Sequence, residues 1–152
     1  RAFEAQLELA IDLRKPMFLH QRDAHSEMLA MLKSCRNELR QVVAHCFTGT
    51  ADEVSDYLAL DMYIGITGWI CDERRGQALQ RAVKHIPLDR IMLETDAPYL
   101  LPRDMEEKPH EKNRNEPCYL PHIARSVAGF MGVDEKQLVT AAYKNSYEFF
   151  MK

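Results

Sequence analysis

The 152-residue sequence has no apolar run approaching the roughly 20 residues that a membrane span requires, so no membrane association is expected. No signal-peptide pattern is seen at its start, so none is expected. It opens at Arg1, not Met, already inside a helical pattern, so the natural chain is expected to begin upstream. No GxxxxGK pattern is present, which removes a phosphate-cradling P-loop. There is no repeat of solenoid period and no low-complexity tract. The four cysteines, Cys35, Cys46, Cys71 and Cys118, lack both the paired spacing of a zinc motif and the density of a disulfide scaffold. Reduced thiols in a cytoplasmic setting are the expectation. Charge of one sign is also lacking. Twenty Lys+Arg against 23 Asp+Glu leave −3, which argues against broad coating of nucleic acid while allowing a local basic cleft. The hydrophobic share of 46% is too high for disorder, and residues 1–152 read as one globular unit.

What is present is strand–helix alternation. Residues 16–20 (PMFLH), 41–45 (QVVAH), 62–66 (MYIGI) and 91–95 (IMLET) are nearly continuous in apolar residues, as expected of parallel strands covered on both faces. Between them lie amphipathic patterns. Phe3, Leu7, Ala10 and Ile11 share one helical face; Met28, Leu29 and Leu32 mark a second helix; Thr50 and Glu53 form a capping box ahead of Val54 and Tyr57. Gln77 to His85 reads as one helix, Leu120 to Met131 as another, and Asp134 caps a last one. A long connection runs from about Pro98 to Pro117. The predicted class is α/β, four parallel strands with helices forming half of a (β/α)₈ TIM barrel; a whole barrel takes about 250 residues.

Ligands of such sheets gather where the strands end. The first strand ends at His20, the second at His45, and the fourth at Thr95-Asp96. One histidine at a strand end is more often a hydrogen-bonded structural residue. Two histidines with Asp96, all at equivalent ends, favour a divalent metal site. Zinc, magnesium and manganese all accept such mixed N/O donors. A cation there lowers the pKa of water and polarises a phosphoryl oxygen, while Asp96 can bind the metal or take a proton.

The blocks FLHQRDAH (Phe18–His25), VAHCFTGT (Val43–Thr50), YIGITGWICDERRG (Tyr63–Gly76), ETDAPYLLPRD (Glu94–Asp104) and RNEP (Arg114–Pro117) together resemble the TatD family of metal-dependent deoxyribonucleases. The resemblance implies a metal-dependent hydrolase barrel with one or two divalent ions. It also implies hydrolysis of phosphodiester bonds in DNA, as an exonuclease on single strands. On this resemblance His20 and His45 match metal-binding histidines, and Asp96 matches the metal-binding and catalytic aspartate. The family's early His-x-His pair and its glutamate ligand have no counterpart here. The chain therefore reads as the second half of such a barrel, with the upstream half absent. Two alternatives follow: a catalytically silent half-barrel that self-associates, or a metal-dependent hydrolase of a small ester or amide.

Arg22 can offer a guanidinium fork to phosphate, and Arg114 and Asn115 can reach phosphate or sugar. Trp69 can stack a base, as can Tyr99, for which packing is at least as good a reading. Arg74, Arg75 and Arg103 read as surface charges. His25, His85, His110 and His122 are not expected to bind the metal. His25 is expected to have turned away along its helix. Gly49 and Gly68 are expected to permit tight turns.

Overall fold

The computed structural model describes residues 1–106 and 114–151; His110 lies outside the described residues. The order is α1 (Ala2–Leu13), β1 (Met17–His20), α2 (His25–Cys35), β2 (Val42–His45), α3 (Ala51–Ala59), β3 (Tyr63–Ile66), α4 (Gln77–Ala82), β4 (Ile91–Leu93), α5 (Leu120–Met131) and α6 (Glu135–Met151). Short 3₁₀ turns at Gly68–Cys71, Val83–His85 and Pro117–Tyr119 link some of them. All strand pairs are parallel, in the order β1-β2-β3-β4, and His20 stands opposite His45 in register. The architecture is half of a (β/α)₈ barrel, as the alternation predicts.

Local chemistry sets the boundaries. The Thr50 hydroxyl accepts from the Glu53 amide at 3.3 Å, and the Thr50 amide donates to Glu53 at 2.7 Å, so the capping box opens α3 as predicted. Gly132, at φ 71°, closes α5 in the left-handed conformation that glycine adopts without strain. Asp134 accepts from the Gln137 amide at 2.9 Å and caps α6. Two elements are shorter than the sequence suggests. The helix read over Gln77–His85 is α-helical only to Ala82. It then tightens into a 3₁₀ turn, because Ile86 precedes Pro87 and is forced to extended backbone. The fourth strand stops at Leu93 instead of Thr95. Asp96 beyond it takes φ 57°, and the Ala97 amide turns back onto the Thr95 hydroxyl at 3.3 Å.

The main core lies between the sheet and its helices. Leu32, Val54, Tyr57, Ile64, Ile66, Leu79, Ile91, Ile123, Val127 and Leu138 are fully buried there. The opposite face of the sheet carries a smaller cluster of Val43, Tyr63, Met92 and Phe149, so the last turn of α6 covers the sheet's entry end. The strand-exit end of that face is left to His20, His45 and Glu94. Asn145 ties α6 to β4: its buried amide nitrogen donates to the carbonyls of Leu88 and Ile91, both at 2.8 Å.

The β3–α4 connection is held by Asp72, which is only 2% exposed. One carboxylate oxygen accepts the Arg74 and Arg75 amides at 3.0 and 3.1 Å; the other accepts Arg75 Nε at 3.0 Å. Burial alone would raise its pKa, but these N–H groups and the Arg75 charge outweigh it and hold the carboxyl at about 2.

Two outcomes follow from these anchors. Asn145→Ala removes the donor to one buried and one partly buried carbonyl and is expected to lower stability by roughly 1–3 kcal/mol in urea unfolding, with the fold retained. Because the folded pKa of Asp72 is depressed, its stabilising contribution is complete above the unfolded value near 4 and is lost as pH falls toward 2. The stability gap between the parent and Asp72→Asn should therefore be constant at neutral pH and close over that acid window.

Candidate active site

His45 and Asp96 are the pair that the fold brings together. His45 ends β2, and Asp96 follows β4. His45 Nε2 lies 3.3 Å from Asp96 Oδ1, while its Nδ1 is hydrogen-bonded to Glu94 Oε2. The Glu94 hydrogen bond raises the His45 pKa most; partial burial opposes it, and the charges of Glu94 and Asp96 add to it. His20 stands beside them, its ring centroid 6.0 Å from that of His45, on the exposed side of the group.

Two further residues join this group, neither of them an expected site residue. Glu94 is one. Its path to His45 runs over Gly65, where any Cβ would overlap the carboxylate. Cys46 is the other. It follows His45 at φ 47°, its thiol lies 3.3 Å from the Thr67 hydroxyl, and burial pushes that thiol's pKa up. Ligand atoms of His45, Cys46 and Asp96 all lie within 4.8 Å of one another. The only signals available were adjacency: Cys46 next to His45, and Glu94 two residues before Asp96 on the same strand-end face.

This donor set fits a divalent cation. An imidazole nitrogen faces a carboxylate oxygen, the other ring nitrogen is held by a carboxylate as metal-binding histidines commonly are, and Glu94 Oε1 is buried without a hydrogen-bond partner among the described residues. A second group of ligand-type atoms, from Cys71, Asp104 and His122, is a lock between connection and helix. His122 Nε2 pairs with Asp104 at 2.7 Å, and burial pushes the Cys71 thiol up to about 12.

A cleft of about 690 Å³ opens over the first group, and His20, Arg22, Trp69 and Asp96 are among the residues that line it. Tyr99, 71% exposed, also borders it. Arg75, read as a surface charge, is exposed and also forms part of the wall. His25, read as turned away, also lines the cleft, held by Asp56 at 3.0 Å and the Tyr57 hydroxyl at 3.1 Å. Asn115 is not in the cleft. It is 1% exposed, and its amide nitrogen donates to the carbonyls of Thr95 and Tyr99 at 2.7 and 2.6 Å, so it holds the Asp96 segment in shape. Arg114 is exposed and outside the cleft lining. Gly68 opens the 3₁₀ turn Gly68–Cys71 and also permits close approach: a Cβ there would meet the Leu100 carbonyl and Pro102. Gly49 is packed in the same way, against Glu53 and Phe47.

Among the described residues, no helix is long and apolar enough to cross a membrane. In structure the chain is similar to a TatD-family hydrolase of Entamoeba histolytica (TM-score 0.85, 24% identity, 99% of this chain and 56% of that one). It is also similar to YJJV, a TatD homologue of Escherichia coli (TM-score 0.84, 24% identity, 97% of this chain and 54% of that one). In sequence it is 52% identical over 149 residues to a 3'-5' ssDNA/RNA exonuclease TatD of Edwardsiella piscicida, covering 98% of this chain and 57% of the relative. A protein of the same description from Citrobacter rodentium is 50% identical over 149 residues, with 98% and 56% covered. The chain thus spans little more than half the length of the curated relatives it matches. The sequence profile described as TatD related DNase matches residues 1–151, and on that match the chain belongs to the TatD-related DNase family.

Proposed function

We propose that this chain supplies His20, His45 and Asp96 to a divalent metal centre that hydrolyses phosphodiester bonds of single-stranded DNA from an end. The observation that carries this reading is the approach of His45 Nε2 to Asp96 Oδ1, backed by Glu94 on the far ring nitrogen. Relatives described as 3'-5' ssDNA/RNA exonucleases support the substrate class and the direction, and the absence of a membrane-crossing helix among the described residues is in keeping with action in the cytoplasm. On this reading residues 1–152 act as the second half of a barrel whose other strands close the free edges of β1 and β4.

A magnesium, zinc or manganese ion supplies Lewis acidity and a lowered pKa for water. The protein's own groups do the rest. Asp96 accepts the proton of the attacking water. Glu94 keeps His45 in one tautomer and one orientation. Arg22, at the cleft wall, neutralises a non-bridging phosphate oxygen, and Trp69 gives a flat surface for a base. A second reading, pairing of two copies of the half-barrel, is favoured by the open sheet edges and by Phe18 and Phe150, which are 50% and 59% exposed. A monomeric mass by light scattering would remove it.

The test of the enzymatic reading uses the full natural polypeptide containing this chain and labelled single-stranded DNA with Mg²⁺ or Mn²⁺. Nucleotides should be released, and Asp96→Asn should slow release by roughly 10²–10⁴-fold. No release from the parent, or equal release from the variant, would end the proposal. Gly65→Ala, which pushes Glu94 off His45, should weaken metal binding by roughly 10–100-fold in isothermal titration while the fold persists.

A further inference from the structure

The wall of the cleft contains a built unit in which Arg75 and Asp72 have no assigned task. Trp69 and Arg75 both line it, and the Arg75 guanidinium carbon sits 4.6 Å from the centre of the indole ring. Arg75 is not a loose surface arginine. Asp72 beneath it is 2% exposed and holds both its backbone amide and its Nε. Gly76 lets the connection close tightly, since a Cβ there would press on the carbonyls of Asp72 and Trp69. The indole end is fixed as well: the Trp69 amide donates to the Thr67 hydroxyl at 3.4 Å, and the ring packs on the core. Arg103 lies 3.8 Å from the same Asp72 carboxylate, adding positive charge behind the pair.

The consequence is a guanidinium fixed by its Nε. Its two terminal amino groups make no hydrogen bond among the described residues, and its side chain remains 60% exposed. A terminal edge of this kind matches the paired oxygens of a phosphate. An arginine stacked on an aromatic ring is also a surface that accepts a nucleobase, whose face is attracted to both. A buried carboxylate under an exposed arginine restricts that arginine's rotamers, so less entropy is lost when an anion binds.

We propose that Asp72, Arg75 and Trp69 form a nucleotide subsite of the cleft, in which Arg75 grips a backbone phosphate of a single strand and Trp69 stacks its base, with Asp72 as the positioning residue. This rests on the reading of the cleft as a nuclease site, and it adds a binding unit separate from the His45–Asp96 group. Bases of any identity fit a flat ring, so the subsite fixes strand position without selecting sequence.

The experiment uses the full natural polypeptide carrying Asp96→Asn, in chelator, so that no strand is cut. Fluorescence anisotropy follows a labelled oligothymidylate and an abasic oligomer of equal length across a salt series. The parent should bind oligothymidylate at least several-fold more tightly than the abasic strand. Arg75→Gln should weaken binding and reduce the steepness of its salt dependence by about 0.7, the value for one phosphate contact on a single strand. Arg75→Lys should keep the steepness and lose affinity. Trp69→Leu should weaken oligothymidylate by roughly tenfold, leave the salt dependence alone, and barely affect the abasic strand. Asp72→Asn should weaken binding while retaining the salt dependence.

The proposal is overturned if variants that melt like the parent bind oligothymidylate with unchanged affinity and salt dependence. Equal binding of both strands by the parent overturns it too, a result that stands even where Trp69→Leu does not fold. Binding with these signatures by a protein that fails to cut DNA when Asp96 is intact supports the subsite and removes only the hydrolytic reading.

Discussion

The chemistry of this chain depends on one carboxylate crossing a strand that has no side chain to block it. His45 leaves β2 and Glu94 leaves β4, with β3 between them. Neighbouring strands are about 4.8 Å apart, so the two backbones are separated by roughly twice that distance. A glutamate can span the gap only along the surface of β3, and Gly65 provides the one position where nothing stands in its way. The reward is a charge-assisted hydrogen bond to Nδ1, which fixes the ring and turns Nε2 toward Asp96. Any side chain at residue 65 would return His45 to rotamer freedom.

A second layer secures the other half of the pair. Asp96 sits at φ 57°, a conformation that aspartate tolerates but does not prefer. It is held there by its surroundings. Asn115 reaches back to the Thr95 and Tyr99 carbonyls, and Gly68 lets the Leu100 segment press against the end of β3. The connection after β4 is thus pinned at its start by a residue that arrives twenty positions later in the chain. The Asp96 side chain is thereby held in one place beside His45.

The strands and their end residues were legible because burial on both faces leaves continuous apolar runs, and because parallel sheets place function where strands stop. His20, His45 and Asp96 emerge from that logic alone, and the Thr50–Glu53 capping box from local chemistry. Glu94, Gly65 and Asn115 do not. A glutamate ending an apolar run, a glycine inside a strand and an asparagine in a loop have ordinary local readings. Their roles exist only across strands or across the fold. Arg75 is the same kind of case: among many surface-like charges, only the buried Asp72 and the nearby indole distinguish it. The break in the helix after Ala82 was visible in principle, since Pro87 stands five residues on, but apolar periodicity masked it.

The charges of the cleft also explain its division of labour. Its floor brings Glu94 and Asp96 to the same imidazole, and two carboxylates there repel a phosphodiester. Arg22 and Arg75 stand in its wall. Asp23 and Glu53 stand in the wall as well, so the arginines offer individual contacts and not a positive field, and a phosphodiester is opposed at the floor unless a divalent cation reverses the local sign. On the proposed reading a net charge of −3 is compatible with binding a nucleic acid strand, because Arg22 and Arg75 give local cationic contacts at the wall. On the two proposals made above, affinity for the strand and competence for chemistry would be carried by different residues, fixed by different anchors, Asp72 beneath Arg75 and Glu94 beneath His45.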